Sequence, residues 1–246
     1  MISVIMPVYN TDKNFISDAV YSVLSQTRKD FELIIVDDGS NEETKQALQE
    51  LFFQGGISKI VHHTKNKGIA AARNSGVNLA KGEYISFLSS DDVWKNNFLE
   101  IMMKNFTEGI IFSDYDNLSS AGGLVKTPNS FPFTKPHTFD KETFKSKVLE
   151  LAKNHTIPVN YSCLIGEKQY FIGENSFWEG ARFGEDMYHL IKMCSKLKFT
   201  YVPESLVCYR SHKNTTTQKE HHNIHENNEN IFKKLNKEGI NTPWRP

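Results

Sequence analysis

Four carboxylates and one guanidinium carry most of the chemistry this sequence can offer. Asp91 and Asp92 close the segment Ser89-Ser90-Asp91-Asp92, directly after an apolar run at 84–88. Two adjacent carboxylates repel each other unless a cation or hydrogen-bond donors compensate. Hard oxygens in that setting suit Mg2+ or Mn2+, held by one or two carboxylates together with substrate phosphates. The ordinary alternative is a helix N-cap at one of the two, ahead of Trp94. Asp38 lies in Asp37-Asp38-Gly39-Ser40, which ends another apolar run. Asp186 lies in Gly184-Glu185-Asp186, where a helical pattern begins. A carboxylate there either complements the helix dipole or takes the proton of an incoming hydroxyl. Arg73 stands among small residues in Ala70-Ala71-Ala72-Arg73-Asn74-Ser75-Gly76; with Lys65 and Lys67 it is a candidate to offset phosphate charge.

No GxGxxG follows a strand and no GxxxxGK[ST] occurs, so a bound nucleotide would need a metal and basic side chains around its phosphates. His221, His222 and His225 have metal-like spacing but lack acidic or cysteine partners, and read as incidental surface histidines. His62-His63 carries no assigned role.

The elements that must position these residues alternate. Ile2–Val8 reads as a buried strand, followed by a helix capped at Thr11 or Asp12, with Phe15, Ile16, Ala19, Val20, Val23 and Leu24 at helical spacing. Further strands are expected at 31–36, 57–61, 84–88 and from 109, with helices at 42–53, 68–80 and 95–105. This is an α/β pattern: a mainly parallel sheet with helices on both faces. In such a sheet ligands bind beyond the carboxyl ends of the strands. Pro7–Asn10, Asp37–Ser40 and Ser89–Asp92 all fall at those ends. Singly each is turn chemistry; together on one rim they mark a site. After residue 116 the pattern loosens. A helix is expected at 140–153, strands at 160–165, 199–202 and 206–209, a helix at 185–197, and a polar tail from 213 that is helical in part around Ile224, Ile231, Phe232 and Leu235.

The chain has 246 residues, with 29 basic and 29 acidic, so its formal net charge is zero. That balance argues against a nucleic-acid binder, which shows a basic excess. No apolar run reaches the length of a bilayer span. The start lacks the basic region and cleavage site of a secretion signal. Cys163, Cys194 and Cys208 show no CxxC spacing, which points to a reducing cytoplasm.

With these clusters in place, the chain resembles the family 2 glycosyltransferases of the GT-A fold. The resemblance runs through SVIMPVYN at 3–10, VLSQT at 23–27, FELIIVDDGS at 31–40, NKGIAAARNSG at 66–76, GEYISFLSSDD at 82–92 and FGED at 183–186. It implies a GT-A domain whose residues 1–115 bind a nucleotide-sugar and whose residues 116–212 hold the acceptor side and the base. It implies inverting transfer of a hexose or N-acetylhexosamine, UDP-linked by family expectation, to a glycan or lipid-linked saccharide of a bacterial surface polysaccharide.

By the same resemblance Pro7 and Tyr9 line the nucleoside pocket, Asp38 contacts the base and Arg73 lies near the donor. Asp92 is favoured as metal ligand for Mn2+ or Mg2+, Asp91 lies nearer the ribose or sugar, His212 approaches the metal or diphosphate, and Asp186 is the catalytic base. Trp178 is an acceptor wall or a core anchor, and Glu185 is a further acceptor-side candidate. Ser89 replaces a leading aspartate found in many members, which thins the metal's oxygen supply. A lipid-linked acceptor implies a peripheral membrane contact at the inner face of the cytoplasmic membrane. The tail is available to a second subunit. Two other classes stay open: a nucleotidyltransferase, although Pro7–Lys13 is not its glycine-rich basic loop, and a noncatalytic nucleotide-sugar or glycan-binding module.

Overall fold

A computed structural model describes residues 1–119, 121–154, 156–181, 183–212 and 224–242. Its first part runs β1 (Ile2–Val8), α1 (Lys13–Leu24), β2 (Phe31–Asp37), α2 (Glu42–Phe53), β3 (Lys59–His62), α3 (Ile69–Leu79) and β4 (Tyr84–Phe87). Then follow β5 (Val93–Trp94), α4 (Phe98–Asn105), β6 (Ile110–Ser119), β7 (Leu124–Val125), β8 (His137–Phe139), α5 (Lys141–Ala152) and β9 (Leu164–Glu167). The chain continues through α6 (Glu185–Cys194), β10 (Phe199–Ser211) and α7 (Ile224–Lys237).

Among the described residues the strands form one sheet in the order β3-β2-β1-β4-β9-β6-β10-β5. β1 pairs in parallel with β2 and β4, and β2 with β3. β9 is antiparallel to both β4 and β6, and β10 is parallel to β6. β1, most of β2 and most of β4 are buried on both faces, as their unbroken apolar runs require, while β3 at the sheet edge stays partly exposed. Alternation divides the core. Ile5, Ile34, Val36 and Phe87 join residues of α3, α5, α6 and α7 on one face, while Val4, Met6, Leu33 and Ile35 join residues of α1, α2 and α4 on the other.

Three local expectations change. Residues 160–165 are not one strand: Asn160 accepts the Ser162 amide at 2.8 Å, which winds Tyr161–Cys163 into a 3-10 turn before β9. Asp91 and Asp92 cap no helix. Val93 and Trp94 pair with Cys208 and Val207 of β10, and α4 starts only at Phe98. The two short strands at 199–202 and 206–209 are one strand, β10, interrupted by register shifts around Ser205. His221 and His222 lie outside the described residues, as does the side chain of His225.

Candidate active site

The three polar strand ends do meet. Asn10, after β1, takes a left-handed φ of 48°, which asparagine tolerates better than most residues. Its amide donates to Ser40 Oγ (3.1 Å) and its Oδ1 accepts the Asn41 amide (2.8 Å). Thr11 Oγ1 lies 2.7 Å from Ser90 Oγ, tying the β1 end to the β4 end. Tyr9 stands 51% exposed on this rim and Pro7 is partly buried beneath it.

Behind the rim, each carboxylate of the β2 end meets a histidine at the end of β3. The parallel register sets Asp37 opposite His62, with Oδ2 to Nδ1 at 2.8 Å. Burial pushes the Asp37 carboxyl up, but hydrogen bonds from Ser40 and His62 outweigh it and hold the pKa below the ordinary value. Asp38 Oδ1 lies 2.6 Å from His63 Nδ1, and His63 Nε2 lies 2.9 Å from Ser75 Oγ on α3. Asp38 also accepts the Lys67 amide on Oδ1 (2.9 Å) and the Gly68 amide on Oδ2 (2.8 Å). It is 2% exposed, and these two bonds shape the Lys67-Gly68 turn. Gly39 makes the packing feasible: its φ is +72°, and a Cβ there would sit 2.6 Å from the Asn66 nitrogen. His63 went unassigned in the sequence, although a β2–β3 parallel pairing would have pointed to it.

The acidic pair splits into two roles. Asp92 is 1% exposed; it accepts the Ser162 hydroxyl at 2.6 Å and the Arg210 amide at 3.0 Å. Burial, with repulsion from Asp91, pushes its pKa up to about 8 despite those bonds. Asp92 thus anchors this loop through Ser162 and the Arg210 amide. Asp91 is the accessible partner: its Oδ2 lies 2.9 Å from His212 Nε2, with side chains 25% and 14% exposed. Arg210, unflagged in the sequence, braces the loop. Its Nε donates to the Asp91 carbonyl (2.8 Å), its Nη2 to Asp18 (2.8 Å), and its guanidinium lies 4.3 Å over Phe15. Among the described residues no three His, Cys, Asp or Glu side chains gather around a cation site. Asp91 and His212 offer a two-ligand edge, which suits a hard cation completed by phosphate oxygens.

The turn that carries Asp186 is built from buried charge. Gly184 (φ +80°) precedes α6, whose first residues are Glu185 and Asp186. Glu185 is buried and paired with Arg73 Nη1 at 2.5 Å. Arg73 is itself 5% exposed and lies 5.1–5.6 Å from the rings of Tyr161, Phe177 and Phe87. Burial and the nearby Asp186 raise the Glu185 pKa to about 7, with Arg73 opposing. Arg73 thus holds α6 through Glu185, whose carboxylate faces the guanidinium. Asn74 adds a second clasp, donating to the Phe177 carbonyl and to Glu179 and accepting the Phe177 amide, each at 2.9 Å. Asp186 is partly exposed, and its Oδ1 accepts the Met187 amide at 2.7 Å. Trp178 is partly buried against the core, 5.6 Å from Tyr188, which favours the core-anchor reading.

The turn Tyr161–Cys163 joins the two regions. Ser162 bonds Asp92 and accepts the Ser89 amide (3.1 Å). Tyr161, one residue earlier, bonds His189 Nδ1 of α6 at 2.6 Å and stacks under Arg73.

A model of glycosyl transferase family 2 matches residues 3–172. The chain belongs to that family. It is 32% identical over 219 residues to an uncharacterized glycosyltransferase of Rickettsia bellii, covering 88% of this chain and 29% of that protein. This family 2 chain thus spans about a third of the length of its rickettsial relatives. It is 35% identical over 141 residues to Escherichia coli WfgD, a UDP-Glc:alpha-D-GlcNAc-diphosphoundecaprenol beta-1,3-glucosyltransferase, covering 55% of this chain and 54% of WfgD. In structure it is similar to S. aureus TarS 1–349 in complex with UDP-GlcNAc (TM-score 0.74, 17% identity, 99% of this chain and 68% of that one). GalNAc-T7, solved with UDP, GalNAc and Mn2+, has a TM-score of 0.65 at 18% identity, over 85% of this chain and 44% of that one. The fold is GT-A. Among the described residues no helix is long and apolar enough to cross a membrane.

Proposed function

We propose that this chain transfers a hexose or N-acetylhexosamine from a UDP-sugar to a hydroxyl of a glycan or lipid-linked saccharide, with inversion, during synthesis of a bacterial surface polysaccharide. The observation that carries this reading is the Tyr161–Ser162 junction. Adjacent residues grip the carboxylate loop of Asp91–Asp92 and the helix of Asp186, which supports reading donor loop and base as parts of one site. The UDP-GlcNAc complex of TarS supports the donor class, and the description of WfgD supports a lipid-linked acceptor and a β product. A lipid-linked acceptor would bring the chain to a membrane surface.

In this reading Pro7 and Tyr9 line the nucleoside pocket, and Asp38 with His63 holds the wall at Lys67-Gly68. Asp91 and His212 would hold Mn2+ or Mg2+. That ion supplies Lewis-acid stabilisation of a leaving diphosphate. Asp92 and Arg210 fix the Asp91 backbone so that its carboxylate is presented without rearrangement. Asp186 takes the acceptor hydroxyl's proton on Oδ2, Oδ1 being bonded to the helix amide. The acceptor oxygen bonds to the anomeric carbon as the carbon–phosphate-oxygen bond breaks, its electron pair leaving with UDP. One displacement turns an α-linked donor into a β-linkage.

The test is a panel of UDP-sugars with diphospholipid-linked saccharides and Mn2+ or Mg2+, reading UDP release and the anomeric configuration of the product. A β-linked product from one donor is the expected result. Pyrophosphate release from a nucleoside triphosphate would replace this reading with nucleotidyl transfer. Binding of a UDP-sugar without turnover would make the chain a binding module.

A further inference from the structure

Helix α7, like the turn that carries Asp186, lies beyond residues 3–172 matched by the family model, and it packs on that turn. We propose that α7 is a positioning element for the base: through Ile231 and Glu238 it sets the geometry of the Gly184–Asp186 turn and thereby the rate of transfer. This rests on Asp186 acting as the base.

A glycine with φ +80° gives the turn access to many backbone states. Gly184 caps α6 without any side-chain hydrogen bond, so its conformation must be fixed from outside. The Arg73–Glu185 pair fixes one side. The other side is Ile231. A Cβ placed on Gly184 would lie 2.9 Å from Ile231 Cδ1 and 3.8 Å from Asn228 Oδ1. Ile231, Phe232 and Leu235 are at most 3% exposed, and Asn228 is equally buried. A helix of this length is marginal in water by itself, so this apolar face keeps α7 in place. Just beyond the helix, Glu238 adds a second contact further along α6. Both its oxygens accept the Tyr188 hydroxyl at 2.8 Å, and Lys192 Nζ lies 3.2 Å away. Two separated contacts fix both the distance and the angle of α7 on α6. The base turn is thus clamped between the buried arginine and the C-terminal helix, and loosening either side lets Asp186 drift from the reacting oxygen.

The experiment compares Ile231→Ala, Glu238→Gln, Gly184→Ala and the double variant Gly184→Ala/Ile231→Ala in the full chain. The assay temperature is one at which circular dichroism shows each folded. Ile231→Ala is expected to lower kcat about tenfold, with the KM and Kd for the UDP-sugar unchanged and faster hydrogen exchange at the Met187 and Tyr188 amides. Glu238→Gln should lower kcat by a smaller factor. Gly184→Ala should also lower kcat, because an alanine at φ +80° strains the turn, and the double variant should do no better, since room beside Ile231 does not relieve that strain. Ile231→Val, which keeps most of the contact, should restore near-normal kcat. A lower Tm with unchanged kcat and exchange in Ile231→Ala would overturn the proposal and leave α7 as a stabiliser. Asp186→Asn separates the two failures. If it stays active, the base reading falls. If it is inactive while the α7 variants turn over normally, only the clamp falls.

Discussion

The rim proposed to hold the donor and the turn proposed to carry the base (the base turn) solve the same positioning problem by opposite means. The rim joins the ends of β1, β2 and β4, all within the first 92 residues, with short polar side chains and backbone amides such as those of Asn10, Asn41 and Lys67. The base turn joins pieces far apart in the chain: Arg73 with Glu185, 112 residues on, and Asn74 with Phe177, 103 on. It does so with a desolvated ion pair inside three aromatic rings. A rim change should therefore cost mostly ligand affinity. A change behind the base should cost folding and chemistry together, because a buried charge that loses its partner has no water to fall back on.

The largest effect should come from the one group of the base turn that is partly exposed. Asp186→Asn removes the proposed proton acceptor while keeping the shape, and kcat should fall on the order of 10^3-fold. UDP-sugar affinity and Tm should stay near the parent values. Equal losses of affinity and rate would place Asp186 on the donor side and erase the contrast. Next comes Arg73→Ala, which strands Glu185 in the aromatic cage; denaturant unfolding should show a loss of about 3–5 kcal/mol. A stability close to the parent's, with UDP affinity lost instead, would return Arg73 to the diphosphate.

Which parts could be read from the sequence follows from the same contrast. The rim was legible because each strand is an apolar run that ends in a polar turn, and consecutive parallel strands put those turns on one edge. What lay hidden was which of two neighbours does what. Asp91 and Asp92 are adjacent, and one faces His212 while the other is buried on Ser162. Composition is blind to that choice; only the pairing of Val93–Trp94 with β10 fixes it. Arg73 and Glu185 both stood in recognised segments, but a contact across 112 residues leaves no local pattern. Arg210 was hidden for the same reason, since its partners Asp18, Phe15 and Asp91 come from distant elements.

His189 tests the dryness of the base region. Its ring stacks on Phe171 and Phe177 and joins Tyr161 to the Tyr170 carbonyl. Burial lowers its pKa to about 3. The unfolded chain binds that proton near pH 6.5 and the folded one does not, so as pH falls from 6.5 towards 3 this group withdraws about 1.4 kcal/mol of stability per pH unit. Above pH 6.5 it contributes no slope. The stability gap between the parent and His189→Gln should therefore move against the parent by that amount between pH 6 and pH 5. A gap that does not change would mean the folded site admits a charged imidazole.

The smallest effect belongs to the rim, at His63. Its ring lies between Asp38 and Ser75, and Asp38 in turn holds the Lys67 and Gly68 amides that wall the proposed nucleoside pocket. In His63→Ala the two backbone bonds to Asp38 survive, because a carboxylate needs no histidine to accept them. What is lost is the link that fixes the carboxylate against α3, worth about 1 kcal/mol for one hydrogen bond. UDP should then bind about fivefold more weakly, with kcat at saturating donor unchanged, because α3 still holds Arg73 against Glu185. A kcat loss as large as that of Arg73→Ala would show that the two regions share one rigid frame through α3, and that the division between affinity on the rim and chemistry on the base turn does not hold.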